Sequence, residues 1–232
     1  MRPAEQMRSI NLAWIQQAAR HRHLFQQEWL GERFFHLPGD MVALQHLFWN
    51  IRPEVALLTG VAAGGGQIFA ASMMGLLGPG GNGEARRVIA IDPMVRESVR
   101  TAFGQHPHGA SIDVIEGDSI DDAVFADVRR RVGSRGPVLV VLDLNHTHAH
   151  VHRELELYGS LVTPGSYMVV LDTIMEDLPD EHFAGKPYGK GNNPGTATRA
   201  FLAETDHFVV DTDIEDRVLM TLAPGGFLRR VV

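Results

Sequence analysis

A doubly wound α/β sheet with helices on both faces is the fold this sequence predicts, and three observations lead to it. From about residue 54 onward, strand-like and helix-like segments alternate. The strand-like runs, Val138 to Leu142 among them, are continuously apolar, as suits strands covered on both faces. Between the first strand and its helix lies a run of small residues: Gly60, Val61, Ala62, Ala63, Gly64, Gly65 and Gly66. Glycine is entropically costly to order, so such a cluster implies that something approaches the main chain there.

Ile10, Trp14, Leu24, Phe25 and Trp29 recur loosely at helical spacing and predict one or two amphipathic helices over residues 9–30. "LPGDMVALQHLFWNIRP" gives a turn at Pro38-Gly39, an N-cap at Asp40, and a helix face of Met41, Leu44, Leu47 and Phe48 that stops at Pro53. Residues 1–40 are therefore read as an N-terminal helical extension and residues 41–232 as the main domain. There "VALLTG" reads as a strand, "QIFAASMMGLLG" as a helix closed by Gly78, "GPGGNGEA" as a flexible loop and "RRVIAID" as the second strand. "SIDVIEGD" is a third strand, "SIDDAVFADVRRRV" a helix with basic Arg129, Arg130 and Arg131 at its end, and "GPVLVVLDL" a fourth strand. "HAHVHRELELYGSLV" is helical and "TPGSYMVVLD" is a fifth strand. A helix around "GTATRAFLAE" and the strands "HFVVDTD" and "RVLMTLA" complete the pattern.

The chain has 232 residues, 44% of them hydrophobic, enough for one sizeable core. Its formal charge of -7 argues against a nucleic-acid partner, which needs a basic face. There is no cysteine, so disulfides, thiolate metal sites and a Cys nucleophile are excluded, and a cytoplasmic protein is expected. "MRPAEQMRSINLAWIQQAARHRHLF" has no apolar stretch fit for a signal peptide or membrane span. Its apolar helices, with Trp14 and Trp29, are suited to pack outside the main core or, equally, on another subunit of a homo-oligomer.

In doubly wound sheets, ligands sit beyond the carboxyl ends of the strands, near the reversal of strand order. Those ends read Thr59-Gly60, Asp92, Gly117-Asp118, Asp143 and Asp172. Asp is poor in strands and costly to bury, so four such ends point to ligand binding. The small-residue turn lacks the G-x-G-x-x-G spacing of a dinucleotide fingerprint, yet it lets a ligand reach the N–H groups of the next helix. Asp92 is suited to accept both hydroxyls of a ribose. Asp118 is suited to an exocyclic adenine amine with Ser119 beside the ring, or else to capping the next helix.

"LLTGVAAGGGQIFAASMMGLLG", "VIAID", "IEGDS", "VLVVLDLNHTHAHVHRELELYGSLVTPGSYMVVLDT" and "PGGFLRR" resemble the cephalosporin hydroxylase/rhamnosyl O-methyltransferase family. The resemblance runs from about Trp29 to the C-terminus and implies a Rossmann-like, class I S-adenosylmethionine (SAM)-dependent methyltransferase sheet of seven strands, the last antiparallel. It further implies that Thr59, Gly60, Ala62, Gly64, Gly65, Gly66 and Gln67 cradle the methionine moiety. Asp92 would hold the ribose, Gly117, Asp118 and Ser119 the adenine, and Asp143 the inner edge of the cofactor site. In the family pattern Asp143 and an acidic pair before Thr173 bind a divalent metal, usually Mg²⁺. Here that pair reads Leu171-Asp172, and Leu58 stands where a Glu is expected, leaving Asp143 and Asp172 as the carboxylates for an ion.

"NHTHAHVHRE" places His146, His148, His150 and His152 at alternate positions. In a helix they split into i,i+4 pairs, and no H-E-x-x-H pattern accompanies them, which disfavours zinc. His146, three residues past Asp143, is the candidate base for a substrate hydroxyl. The long segment from Met175 to Phe201 reads as a lid or substrate wall, with Lys186, Tyr188, Lys190 and Asn192 available to an acceptor. The expected activity is SAM-dependent methyl transfer to a hydroxyl of a small molecule, sugar-bearing or a secondary metabolite. Two alternatives are a SAM-binding member with altered chemistry and a nicotinamide-dependent oxidoreductase. No G-x-S-x-G turn supports a hydrolase.

Overall fold

Apolar, β-branched runs form the centre of the molecule, and amphipathic helices close both of its faces. The computed structural model describes residues 1–81 and 83–232, so Asn82 in the predicted "GPGGNGEA" loop lies outside the described residues. In chain order the elements are α1 (Pro3–Arg20), β1 (Glu28–Trp29), β2 (Glu32–Arg33), α2 (Pro38–Ile51), β3 (Val55–Thr59) and α3 (Gly65–Leu77). They continue with β4 (Arg87–Asp92), α4 (Glu97–Gln105), β5 (Ile112–Glu116), α5 (Asp122–Val132), β6 (Val138–Leu142) and α6 (His148–Gly159). β7 (Tyr167–Val170), α7 (Pro194–Glu204), β8 (Phe208–Val210), α8 (Thr212–Val218) and β9 (Phe227–Arg230) follow.

The large sheet has seven strands in the order β5-β4-β3-β6-β7-β9-β8. β3 pairs in parallel with both β4 and β6, and the last strand, β9, runs antiparallel to its neighbours β7 and β8. Strand order therefore reverses between β3 and β6. Every side chain of β3 and β6 is buried, as their uninterrupted apolar runs require. Alternate residues serve opposite faces: Val55, Leu57, Val138 and Val140 pack towards α5, α6 and α7. Ala56, Leu58, Leu139 and Val141 pack towards α2 and α3.

Several sequence expectations change. The N-terminal helix spans Pro3–Arg20 instead of 9–30, because Pro3 and the Arg2–Glu5 pairing start it early. After it come a short 3₁₀ turn and the β1–β2 hairpin, where Trp29 turns inward, donates to the Ser72 hydroxyl at 2.9 Å and meets Phe69 edge-on. Asp40 is not the N-cap of α2; Leu37 is, and Pro38 opens the helix. Asp40 instead lies buried, accepts from the Leu37 and Leu222 N–H groups and the Thr221 hydroxyl, and is pushed up to about 7 by burial. Those contacts also explain why "RVLMTLA" is not a strand. Its first residues end α8, Leu219 turns with φ +60, and Thr221 and Leu222 bond to Asp40 in place of a neighbouring strand. The final strand falls later, at Phe227–Arg230.

The start of α3 is held by contact between two main chains. A Cβ on Gly65 would overlap the Arg33 carbonyl oxygen, so the arm joining β2 to α2 lies directly on this helix turn. Gly65→Ala is expected to lower stability by about 1–3 kcal/mol and to speed amide exchange across residues 33–36. Gly104→Ala, at a helical position with open space, is expected to be neutral or mildly stabilising. Thermal unfolding with hydrogen exchange of both variants checks this contrast; equal behaviour would refute the close approach.

Candidate active site

The parallel register brings the strand ends into a row. Thr59 lies beside Ile91 and Leu142, Asp92 beside Glu116, and Leu142 beside Val170. Along the rim, from the end of β5 to the end of β7, stand Asp118, Asp92, the turn after Thr59, Asp143 and Asp172. With strands roughly 4.8 Å apart, the row spans about 20 Å.

The turn is built from several fixed contacts. Gly60 has φ +85, and a Cβ there would overlap the Asp143 carbonyl oxygen. The Thr59 hydroxyl accepts the Asp143 N–H at 3.2 Å, and the Gln67 amide donates to the Gly60 carbonyl at 2.8 Å. Asp92 accepts the Val61 N–H at 2.8 Å on one oxygen and the Met94 N–H at 2.9 Å on the other. Ala62 adopts φ +47, a left-handed conformation that side chains resist. Gly64, with φ +92, gives way to Phe103 and Val99. The bare backbone read from the sequence as room for a ligand is thus partly claimed by the chain itself: Arg33 at Gly65, Asp143 at Gly60 and Phe103 at Gly64. The N–H groups at the start of α3 remain on the rim, where the helix dipole favours a carboxylate.

On the β4–β5 side, Asp121 caps α5 by accepting from the Ala123 and Val124 N–H groups. That frees Asp118 from the capping role; its side chain is 56% exposed and lines a cleft of about 370 Å³ with Pro93, Leu144, His146, His150 and Tyr188. Gly117 is a packing glycine, since a Cβ there would meet Val124 at 2.5 Å. Ser119 does not open onto the cleft. It is fully buried, its hydroxyl 2.9 Å from His150 Nε2 and its carbonyl accepting from the Tyr158 hydroxyl at 2.6 Å. His150, one of the four alternate histidines, supplies the cleft wall there, a place the sequence reading did not give it. Behind it Glu154 is buried, one carboxylate oxygen 3.8 Å from His150 Nε2.

At the β6–β7 ends, Asp143, His146 and Asp172 each offer a ligand atom, all within 4.8 Å of one another. His146 Nδ1 lies 3.7 Å from an Asp172 oxygen, and its ring meets Tyr188 edge-on at 5.0 Å. Asp172 has φ +59, so its backbone is held in a left-handed conformation at the site. A second imidazole comes from the arm: His36 Nε2 is 3.8 Å from Asp143 Oδ2, with Phe34 edge-on at 4.5 Å. Burial drives His36 down to about 4, partly opposed by the charge of Asp172. Desolvation, reinforced by Asp172, Glu154 and Asp40, holds Asp143 well above the usual carboxylate range. Burial and Asp172 also raise the Tyr188 phenol. Leu58 and Leu171 are buried in one apolar cluster with Phe34, Phe69 and Val141.

The alternate histidines do not converge. His148 and His152 stack on one helix face with centroids 5.9 Å apart, bonded to Thr196 and Glu204, while His150 points inward and His146 precedes the helix. In the predicted lid, Tyr188 reaches the cleft, and the Asn192 side chain accepts the His148 N–H at 2.8 Å, holding the segment to α6. His36 was missed because a single histidine in "RFFHLPGD" carries no periodic signal, and only the fold brings it to Asp143.

The model of the rhamnosyl O-methyltransferase/CmcI family matches residues 21–231. The chain belongs to that family. The rhamnosyl O-methyltransferase of Mycobacterium tuberculosis is 26% identical over 203 residues, covering 83% of this chain and 73% of its own. That of Mycobacterium leprae is 26% identical over 204 residues, covering 87% of this chain and 82% of its own. Among solved structures, CmcI in an apo form matches with a TM-score of 0.61 at 19% identity, over 90% of this chain and 77% of that one. CmcI with Mg and SAM matches equally, at 0.61 and 19%, over 90% and 78%. These likenesses establish the class I methyltransferase fold.

Removing the Asp92 carboxylate takes away two backbone hydrogen bonds and the acid beside the turn. Asp92→Ala is expected to weaken S-adenosylhomocysteine binding at least about tenfold, since a hydrogen bond to a charged group contributes roughly 1.5–3 kcal/mol. Calorimetric titration measures it; unchanged affinity would contradict the assignment of this end of the rim.

Proposed function

We propose that this chain transfers the methyl group of SAM to a hydroxyl of a small-molecule acceptor, with a sugar-bearing acceptor first in line. The observation that carries this reading is the row of strand ends, where two acids flank the glycine turn on one side and an acid–imidazole cluster begins on the other. N–H groups at the start of α3 suit the methionine carboxylate. Asp92 keeps a second lone pair on each oxygen for the ribose hydroxyls, and Asp118, not used as a cap, accepts from the adenine amine. His150 lines the same cleft as Asp118 and stands at the adenine edge, with Ser119 behind it.

Asp143, Asp172 and His146 fit a dication, two of them with oxygen donors and one with nitrogen. Bound there, such an ion supplies positive charge that acidifies the acceptor hydroxyl. The hydroxyl proton passes to His146 when its ring holds no ion, and to the neutral His36 beside Asp143 when it does. The methyl carbon moves in line from the sulfonium sulfur to the acceptor oxygen. An oxygen lone pair forms the new bond, and sulfur keeps the pair of the broken one. Phe34, Leu58, Val141 and Leu171 supply a dry wall beside this step. The protein's contribution is chiefly alignment of the two reactants.

The curated relatives are named for rhamnosyl O-methylation, which makes rhamnose-bearing glycosides the first acceptors to test. Purified protein with methyl-labelled SAM and a panel of such glycosides is expected to yield a labelled ether and S-adenosylhomocysteine, with less product after chelator treatment. Tight SAM binding without a labelled product from any hydroxyl acceptor would instead favour altered chemistry at the same site.

A further inference from the structure

The cluster at the β6–β7 ends has a donor set of unusual composition for a magnesium site. Three side chains converge within 4.8 Å: two carboxylates, Asp143 and Asp172, and one imidazole, His146. A second imidazole, His36, places its Nε2 3.8 Å from Asp143 Oδ2, and its side chain is 10% exposed. On the arm side the surroundings are apolar: Leu58 and Leu171 are buried with Phe34 and offer no oxygen. Magnesium demands a near-octahedral shell of oxygens and keeps several waters. Imidazole nitrogen is matched to the later first-row divalent ions, and affinity for mixed nitrogen and oxygen sites rises along that row.

We propose that Asp143, His146 and Asp172 of this chain ligate a first-row transition dication through two carboxylate oxygens and one imidazole nitrogen, in preference to Mg²⁺. The inference deepens the methyltransferase reading and rests on it for the use of the ion. It engages His146 as a ligand, which leaves His36 as the free imidazole on the rim. Its geometry is compact in sequence as well as in space. His146 stands three residues past Asp143, on the loop between β6 and α6, so one loop delivers an oxygen and a nitrogen together. Asp172 comes from the neighbouring strand end, where β6 and β7 pair up to Leu142 and Val170. Tyr188, edge-on to His146, limits the directions in which that ring can turn.

The test uses the full chain, freed of metal by chelation and titrated separately with cobalt(II), manganese(II) and magnesium chlorides in a calorimeter. Visible absorption of the cobalt form reports nitrogen ligation. Cobalt is expected to bind at least about tenfold tighter than magnesium, and His146→Ala to lower cobalt affinity about tenfold or more. His146→Asp replaces the nitrogen by a third carboxylate and is expected to narrow the preference towards magnesium while changing the cobalt spectrum. Circular dichroism of each variant confirms folding, and Asp172→Asn provides a second disruption of the same donor set. Magnesium binding as tightly as cobalt, or a cobalt affinity and spectrum indifferent to His146→Ala in folded protein, would overturn the proposal. S-adenosylhomocysteine is titrated in parallel. Loss of its binding alongside intact, His146-dependent cobalt binding would sink the methyltransferase reading and spare the ion assignment; the reverse pattern sinks only the latter.

Discussion

Two carbonyl oxygens, those of Asp143 and Arg33, lie against the turn after β3 where any Cβ would collide with them. On this steric condition the rest of the site depends. The Asp143 contact fixes the end of β6 against the end of β3, where strand order reverses and ligands bind in doubly wound sheets. The Arg33 contact lays the N-terminal arm over the start of α3 and thereby brings Phe34 and His36 to the rim. Larger residues at Gly60 or Gly65 would separate elements that are distant in sequence and adjacent in the site. The glycines serve the architecture first, and what they leave open is a helix N-terminus with a carboxylate, Asp92, bracing its approach.

The electrostatics of the rim follow from the same crowding. Asp143 feels Asp172, Glu154 and Asp40, all carboxylates, in a partly dry environment. Such a group of acids is costly unless protons or a cation compensate it. Leucines at positions 58 and 171 reduce that repulsion by adding apolar packing in place of charge. Two imidazoles stand beside these acids, one from the loop after β6 and one from the arm.

Much of this was legible in the sequence because it is carried by local pattern. Runs such as Val138 to Leu142 announce buried parallel strands, and Asp residues just past them mark the rim. Features that depend on distant partners were not legible. Asp40 looks like a helix cap beside Pro38-Gly39, yet its carboxylate also satisfies the backbone near Leu222, which in turn removes a strand that "RVLMTLA" otherwise predicts. His36 has no motif around it and acquires meaning only when the arm folds onto Gly65. Ser119 sits at the strand end the sequence marks, and only the fold shows that its hydroxyl faces His150 inside the protein.

The central claim is that one nucleoside lies across the ends of β5, β4 and β3 with its reactive sulfur towards β6. A crystal structure of this chain with S-adenosylhomocysteine measures that directly. The account predicts adenine at Asp118 and His150, ribose hydroxyls on Asp92, and the amino-acid carboxylate at the first turn of α3. Density for the ligand elsewhere, such as the cavity between α1 and α7, or a nucleoside running in the opposite sense along the rim, would contradict it.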